Sequence, residues 1–156
     1  MRPTFQSKQS VIIRAAIEKV WEYNQELSKI ADYHPRVNKV DLVSGSPYRA
    51  VGVSYRCHLT DGKNTCTEKD IEIVPMEKIV TVFSSDTMGL TRLLPDYVVE
   101  STLKKIDDNT TVVEISHFYS SSKIHVWLLN FFIKPKIARD TTAMLNAMKN
   151  KIENEY

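Results

Sequence analysis

The feature that most constrains this fold is one long helical stripe of apolar side chains that follows a region of strand-like alternation. From about residue 122 to residue 154, these side chains recur at steps of three and four, the pattern of an amphipathic helix. The stripe consists of Val126, Leu129, Ile133, Ile137, Thr141, Met144, Leu145, Met148 and Ile152. Ser122 is the expected N-cap, and Pro135 is expected to kink the axis. The only other helical pattern, from residue 16 to about residue 32, is much shorter, so the long helix must bury its stripe against a sheet.

The alternating region predicts that sheet. The predicted strands are residues 4–13, 39–44, 51–60, 64–74, 79–85, 96–106 and 111–120. Asp61-Gly62 and Asp107-Asp108-Asn109 predict tight turns, and strands joined by such short connections must be antiparallel. The first strand precedes two short helices, which open at Ala15-Ala16 and stop at Tyr33-His34-Pro35 because the residue before proline avoids helical angles. The expected order is strand, two short helices, about six strands and a long helix.

Composition excludes several classes of protein. A chain of 156 residues fits one domain, and its 21 basic and 19 acidic residues leave a net charge of +2 that is spread along the chain. We therefore expect no nucleic-acid partner. The N-terminus lacks the apolar segment of a secretory signal, and the longest apolar run, 126–133, is far shorter than the ~20 residues of a membrane-spanning helix. The expected protein is a single domain, soluble and cytoplasmic.

The hairpin centred on Asp61-Gly62 carries the most informative side chains. With two or four loop residues, Cys57 faces Cys66 and Tyr55 faces Glu68, and both pairs lie on one face of the sheet. With a two-residue loop the cysteines form a non-hydrogen-bonded pair, whose geometry permits a disulfide. In a cytoplasmic setting the expected state is a reduced pair of small buried residues.

The same face is predicted to point inward. Val53, Tyr55, Cys57 and Leu59 on one strand, with Val113 and Ile115 on the last, are its apolar members. Glu68 therefore lies on the inner face unless a bulge moves it outward, and Tyr97, Ser101, His117 and Tyr119 share that side. Such polar groups inside an apolar shell suit a small-molecule pocket. The alternative is a filled core in which the glutamate and tyrosines satisfy one another.

Several short motifs carry a resemblance to a known superfamily. They are Ala15-Ala16-Ile17-Glu18-Lys19-Val20-Trp21 at the first helix, Tyr33-His34-Pro35 after the second, Val51-Gly52 at the start of a strand, the Asp61-Gly62 turn, and Thr67-Glu68. With the terminal helix, their order resembles the SRPBCC superfamily, which includes START lipid-transfer domains, the birch pollen allergen and bacterial polyketide cyclase/dehydratase-like proteins. The resemblance implies an α+β helix-grip fold, in which a curved antiparallel sheet of about seven strands wraps around the C-terminal helix. It also implies an elongated apolar cavity that holds a hydrophobic ligand.

Plant abscisic acid receptors are distant members of this superfamily and sharpen the comparison. Their Tyr-Lys pair, whose lysine meets the ligand carboxylate, corresponds to Tyr33-His34 here, and their pocket glutamate and tyrosine correspond to Glu68 and Tyr97. Histidine in place of lysine, and the tight Asp61-Gly62 turn in place of a gating loop, argue against a hormone receptor. His34 either lines the pocket, caps the second helix or faces water.

The favoured hypothesis is binding or transport of a hydrophobic small molecule, either a lipid or a polyketide-like compound. Glu68, Tyr55, Tyr97 and His117 would orient its polar end. The predicted ligand-binding residues are His34, Tyr55, Cys57, Cys66, Glu68, Phe83, Tyr97, Val99, Ile115, His117, Ile137, Thr141, Met144, Leu145 and Met148.

A second hypothesis is a cyclase or dehydratase that uses the same cavity. Its candidate catalytic residues are His117 or Glu68 as general acid and base, and Tyr97 as a donor to an enolate. The chain shows no nucleophile signature, no glycine-rich phosphate loop and no paired metal-ligand spacing. We therefore expect no cofactor and no metal ion.

A third hypothesis concerns the first turns of the long helix. Trp127, Leu128, Phe131 and Phe132 widen its apolar stripe nearly all round, and Lys134, Lys136 and Arg139 follow. This surface would dock on a membrane or on a partner protein. The alternative is that these aromatic residues pack against the two short helices or the mouth of the sheet.

Overall fold

The computed structural model describes residues 3–121 and 123–155. The strands are β1 (Thr4–Ile13), β2 (Val37–Ser44), β3 (Ser54–Leu59), β4 (Thr65–Val74), β5 (Lys78–Asp86), β6 (Val98–Asp107) and β7 (Thr110–Tyr119). The helices are α1 (Ile17–Gln25), α2 (Ile30–Tyr33) after a 3-10 turn at Leu27–Lys29, α3 (Leu90–Leu93) and α4 (Ile124–Glu155). The predicted order of strand, short helices, six strands and long helix is confirmed.

The strands form one antiparallel sheet in the order β1-β7-β6-β5-β4-β3-β2. Consecutive strands from β2 to β7 are neighbours, as short connections require, and β1 joins the far side of β7. α4 packs on β1 and α2, so the sheet holds the helix against its inner face. The predicted helix-grip architecture is confirmed.

The hairpin between β3 and β4 has the predicted register. Cys57 pairs with Cys66 and Tyr55 pairs with Glu68, and both cysteines are free. A register shift between β4 and β5 lies at Thr67 and Glu68, but Glu68 stays on the inner face with its partner Phe83. The bulge considered above therefore does not turn the carboxylate outward.

Three strands begin two or three residues away from their predicted starts, and one helix was not predicted. β2 begins at Val37 and not at residue 39. β3 begins at Ser54 and not at residue 51, because Gly52 has a φ of 91° and forms a turn whose N–H donates to Asp70 O at 2.8 Å. β6 begins at Val98, after Asp96 with a φ of 58°. The unpredicted helix α3 is only four residues long, too short for a helical period to be visible in the sequence.

α4 meets the rest of the molecule differently along its length. Val126 is buried near its start, and Leu145, Met148 and Ile152 are buried near its end. Between these regions, Ile133, Ile137 and Met144 keep accessible surface although they belong to the same stripe. The helix runs through Pro135, whereas the predicted N-cap Ser122 lies outside the described residues. Within the described residues, no helix has the length and apolarity needed to cross a membrane.

Candidate ligand-binding cavity

A cavity of about 380 Å³ lies between the inner face of the sheet and the middle of α4. Its volume falls within the range of small-molecule sites, which span roughly 300–1,000 Å³. The interior is therefore hollow, and the alternative of a filled core is wrong. The predicted residues that line the cavity are His34, Tyr55, Cys66, Glu68, Phe83, Tyr97, Val99, Ile115, His117, Ile137, Thr141, Met144 and Met148.

The structure does not place Cys57 and Leu145 on the cavity wall. Each is only 1% exposed and belongs to the apolar core. Leu145 follows Met144 by one residue, and a step of one residue turns a helix by about 100°, so the two side chains point to different sides. The Sγ of Cys57 is 3.7 Å from Oε1 of Glu68, which does line the cavity.

Glu68 lies at the end of a buried chain of hydrogen bonds on one side of the cavity. Arg49 Nη1 donates to Tyr55 Oη at 2.9 Å, and the Tyr55 hydroxyl donates to Glu68 Oε2 at 3.0 Å. Burial raises the pKa of Glu68, while the positive charge of Arg49 and the hydrogen bond from Tyr55 oppose that rise. Glu68 still has accessible surface, because it faces the cavity. It can therefore contact a polar group of a ligand from inside the apolar shell.

Arg49 is itself held by a buried ion pair that the sequence analysis missed. Its Nη1 donates to Asp70 Oδ1 at 2.9 Å, and its Nε donates to Asn24 O at 3.1 Å. Thr81 Oγ1 also donates to Asp70 Oδ1, at 2.8 Å. Asp70 could have been found, because it continues the inward alternation of Cys66 and Glu68 along β4. Arg49 lies in the loop between β2 and β3, where no periodicity signals the direction of a side chain.

A second chain of hydrogen bonds, through Tyr97, His117 and Thr141, joins the sheet to α4. Tyr97 Oη lies 2.9 Å from His117 Nδ1, and His117 Nε2 lies 2.8 Å from Thr141 Oγ1. Burial lowers the pKa of His117 to about 4, so the imidazole is neutral at pH 7. Phe83 stacks on Tyr97 with ring centroids 4.7 Å apart. Both imidazole nitrogens therefore have partners within the protein, which leaves neither free to act as a general base in this conformation.

His34 both ends α2 and lines the cavity. Its backbone N–H donates to Ile30 O at 2.8 Å, and its Nδ1 accepts the N–H of Arg36 at 3.2 Å. Burial lowers its pKa to about 4, so this side chain is also neutral at pH 7. Arg36 Nε bonds Asp140 Oδ2 at 2.5 Å, and both residues belong to the cavity lining. This ion pair ties the segment after α2 to α4.

Three side chains of the kinds that bind metal ions come close together beside the cavity. Among the described residues, Cys57, Cys66 and Glu68 each place one ligand atom within 4.8 Å of the other two. His117 and His34 are not part of this group. The group lies on β3 and β4, beside the cavity.

The first turns of α4 form an exposed apolar surface, here called the aromatic patch. Trp127, Phe131 and Phe132 are 68%, 80% and 73% exposed, and Ile124 and Leu128 extend the patch. The alternative that these side chains pack against the short helices or the mouth of the sheet is therefore wrong. Ile133 and Lys136, on the next turns, line the cavity, so the patch adjoins it.

Solved structures of low sequence identity share this fold. The Zhui aromatase/cyclase from Streptomyces sp. R1128 is 18% identical, with a TM-score of 0.75 over 96% of this chain and 93% of that one. A START superfamily protein from Mycobacterium smegmatis is 8% identical, with a TM-score of 0.77 over 97% and 99% of the two chains. Norcoclaurine synthase from Thalictrum flavum is 16% identical, with a TM-score of 0.74 over 94% and 92%. These similarities show the fold alone.

Sequence comparison assigns the family. No curated protein sequence matches the chain significantly. A profile of the family described as polyketide cyclase / dehydrase and lipid transport matches residues 4–153, which is nearly the whole chain. The match covers every strand, the cavity and almost all of α4. The chain belongs to the polyketide cyclase / dehydrase and lipid transport family.

Proposed function

We propose that this protein binds and carries a hydrophobic small molecule, a lipid or a polyketide-like compound, in the cavity between the sheet and α4. The observation that carries the proposal is a hollow, mainly apolar interior in which Glu68 keeps accessible surface. Apolar walls supply most of the binding free energy, and a few fixed polar groups orient the ligand. Tyr55 and Arg49 hold Glu68 in place, so its carboxyl group would receive the polar end of the ligand.

The hydrogen bonds of His117 with Tyr97 and Thr141 favour binding over catalysis. A general base needs a free lone pair within reach of the proton that it removes. His117 already meets Tyr97 on one nitrogen and Thr141 on the other. A cyclase or dehydratase that used His117 as its base would have to break one of these hydrogen bonds in each cycle, whereas a carrier leaves both intact.

Native mass spectrometry tests the proposal directly. Any molecule that co-purifies with the protein is first extracted and identified, and the emptied protein is then incubated with 1-naphthol or decanoic acid as probes of the cavity. We expect one molecule bound per chain and recovered unchanged. Met144→Trp should abolish binding, because the larger side chain would occupy the cavity, and Ala143→Trp on the exposed side of α4 is the matched control. Equal binding by both variants would contradict the cavity assignment, and a co-purified molecule that is chemically altered on incubation with the protein would support the cyclase.

We further propose that the aromatic patch docks on an anionic membrane surface. Residues 120–139 contain no aspartate or glutamate, and Lys123, Lys134, Lys136 and Arg139 lie within them. Exposed aromatic side chains beside basic residues are typical of helices that lie in a membrane interface. Because the patch adjoins the cavity, docking would bring the ligand site close to the lipid.

Liposome co-sedimentation separates this proposal from docking on a protein. Vesicles of phosphatidylcholine with phosphatidylserine should sediment the wild type, and vesicles of phosphatidylcholine alone should do so much less. Phe131→Ala combined with Trp127→Ala should abolish sedimentation. Tyr48→Ala is the control, since Tyr48 is 58% exposed outside the patch. Equal sedimentation by wild type and double variant would exclude the membrane role. A wild-type dimer in solution that the double variant does not form would assign the patch to a second copy.

A further inference from the structure

The cysteine pair and Glu68 form a compact cluster on the inner face of the hairpin. β3 and β4 pair Cys57 directly with Cys66, and Glu68 follows two residues later on the same face. Glu68 Oε1 lies 3.7 Å from the Sγ of each cysteine, and all three atoms lie within 4.8 Å of one another. Three ligand atoms of the types that bind transition metals therefore converge on one point.

The distances suit a tetrahedral ion. Zn²⁺ binds thiolate sulfur at about 2.3 Å and carboxylate oxygen at about 2.0–2.2 Å. Two such ligands at a tetrahedral angle lie about 3.5–3.8 Å apart. The observed sulfur–oxygen distances of 3.7 Å are close to that spacing, and the two sulfurs lie within 4.8 Å of each other, so zinc binding would require the thiols to close by at most about 1 Å.

Both thiols are shielded from solvent, and an outer hydrogen bond holds the carboxylate in place. Cys57 is 1% exposed and Cys66 is 5% exposed. The hydroxyl of Tyr55 donates to the other carboxylate oxygen, Glu68 Oε2, at 3.0 Å, which fixes the carboxylate and leaves Oε1 directed at the two sulfurs. Such outer hydrogen bonds orient the ligands of metal sites. The Arg49 guanidinium pairs with Asp70 and reaches Glu68 through the Tyr55 hydroxyl, on the Oε2 side of the carboxylate.

We propose that Cys57, Cys66 and Glu68 form a zinc site whose fourth position opens into the cavity. Two thiolates balance the charge of Zn²⁺, so the cluster with zinc carries the same formal charge as ionised Glu68 alone. Cys66 and Glu68 line the cavity, which directs the open position towards it. Water or an oxygen atom of a bound molecule would complete the tetrahedron. This proposal does not rest on the proposed carrier function, because the ion needs no hydrophobic ligand.

Cobalt spectroscopy tests the site. The protein is stripped with chelator, kept reduced with a phosphine, and titrated with Co²⁺, which takes the same tetrahedral ligands as zinc and absorbs light. We expect one equivalent of Co²⁺ to produce the intense visible bands of tetrahedral coordination and a thiolate charge-transfer band in the near ultraviolet. One equivalent of Zn²⁺ should remove both. Wild-type protein that shows no charge-transfer band would overturn the proposal.

Variants identify the ligands. Cys57→Ser and Cys66→Ser should each lower the charge-transfer band, because one of two thiolates is lost, and should weaken metal binding by more than about 100-fold. Tyr55→Phe should weaken it by about 10–100-fold, the range for residues that bond a metal ligand. His58→Ala is the control, since His58 pairs with Asp41 away from this cluster. An unchanged cobalt spectrum in both cysteine variants, or its loss in the His58 variant, would also overturn the proposal. Far-ultraviolet circular dichroism of each variant verifies that it is folded.

Discussion

Removing Asp70 should destabilise this protein far more than removing an exposed carboxylate. Asp70 has no exposed side-chain surface, and its partner Arg49 is 9% exposed. Asp70→Ala would leave the guanidinium buried without a counter-ion, and breaking a buried pair in this way costs about 3–5 kcal/mol. It would also leave the Thr81 hydroxyl without its acceptor. For a chain of this size, such a loss lowers Tm by about 6–20 °C.

The assay is urea unfolding at pH 7, in which Cm falls while the slope m stays constant. Asp108→Ala is the matched control, because the Lys105–Asp108 pair has side chains 51% and 89% exposed, and water screens its charges, so its loss should leave Cm nearly unchanged. Replacing both members of the buried pair, as Arg49→Met with Asp70→Leu, should restore part of the stability, since neither charge remains unpaired. A loss below about 1 kcal/mol for Asp70→Ala would refute the assignment of a buried, charged pair.

Three further predictions concern the buried side chains of His117, Tyr97 and Leu145. Between pH 7 and pH 5 the wild type should lose about 2 kcal/mol through His117, because its pKa is about 4 when folded and near 6.5 when unfolded. The unfolded chain therefore takes up the proton first, so stability is complete above pH 6.5 and falls towards pH 4. His34 has a similarly lowered pKa of about 4 and adds a second contribution over the same range, so His117→Phe should remove the part due to His117 and leave that of His34 in urea unfolding. Tyr97→Phe should cost about 1–3 kcal/mol in the same assay, because it removes the hydroxyl that meets His117 Nδ1, and an unchanged Cm would contradict that hydrogen bond. Leu145→Ala should cost about 2–5 kcal/mol, and Met144→Ala should cost less because Met144 already faces the cavity; equal losses would contradict the placement of these two side chains.

The relation between the cavity and α4 explains why one helix can serve two purposes. Its C-terminal turns bury Leu145, Met148 and Ile152 in the main core, which anchors the helix. Its middle turns close the cavity through Ile137, and its first turns leave the aromatic patch outside. Stability and the proposed ligand and membrane contacts therefore depend on different parts of one element. Substitutions in the patch should consequently leave unfolding nearly unchanged.

The hairpin between β3 and β4 shows which features of the site can be predicted from local sequence patterns. Turn chemistry at Asp61-Gly62 and strict alternation predicted that Cys57 faces Cys66 and that Glu68 lies inside, and the structure confirms both. Register in an antiparallel pair follows from the loop and from which face is apolar, and both can be read along the chain. The same alternation, carried two residues further, would have identified Asp70. The predicted start of β3 at residue 51 was wrong, because Gly52 has a positive φ and the first predicted strand residues form a turn before Ser54.

The sequence alone determined the element order, the antiparallel sheet, the helix that it holds, and most of the side chains on the inner face, because periods and turns act over a few residues. Only the tertiary structure decided that the interior is hollow, since a cavity depends on how side chains from distant segments fill a shared volume. It also brought Arg49 from a loop to Tyr55 and Asp70, and gave His117 partners on both nitrogens. The long apolar stripe predicted burial along the whole helix, but the sheet covers only part of it. The reach of the sheet therefore decides which residues form core, cavity and exposed patch.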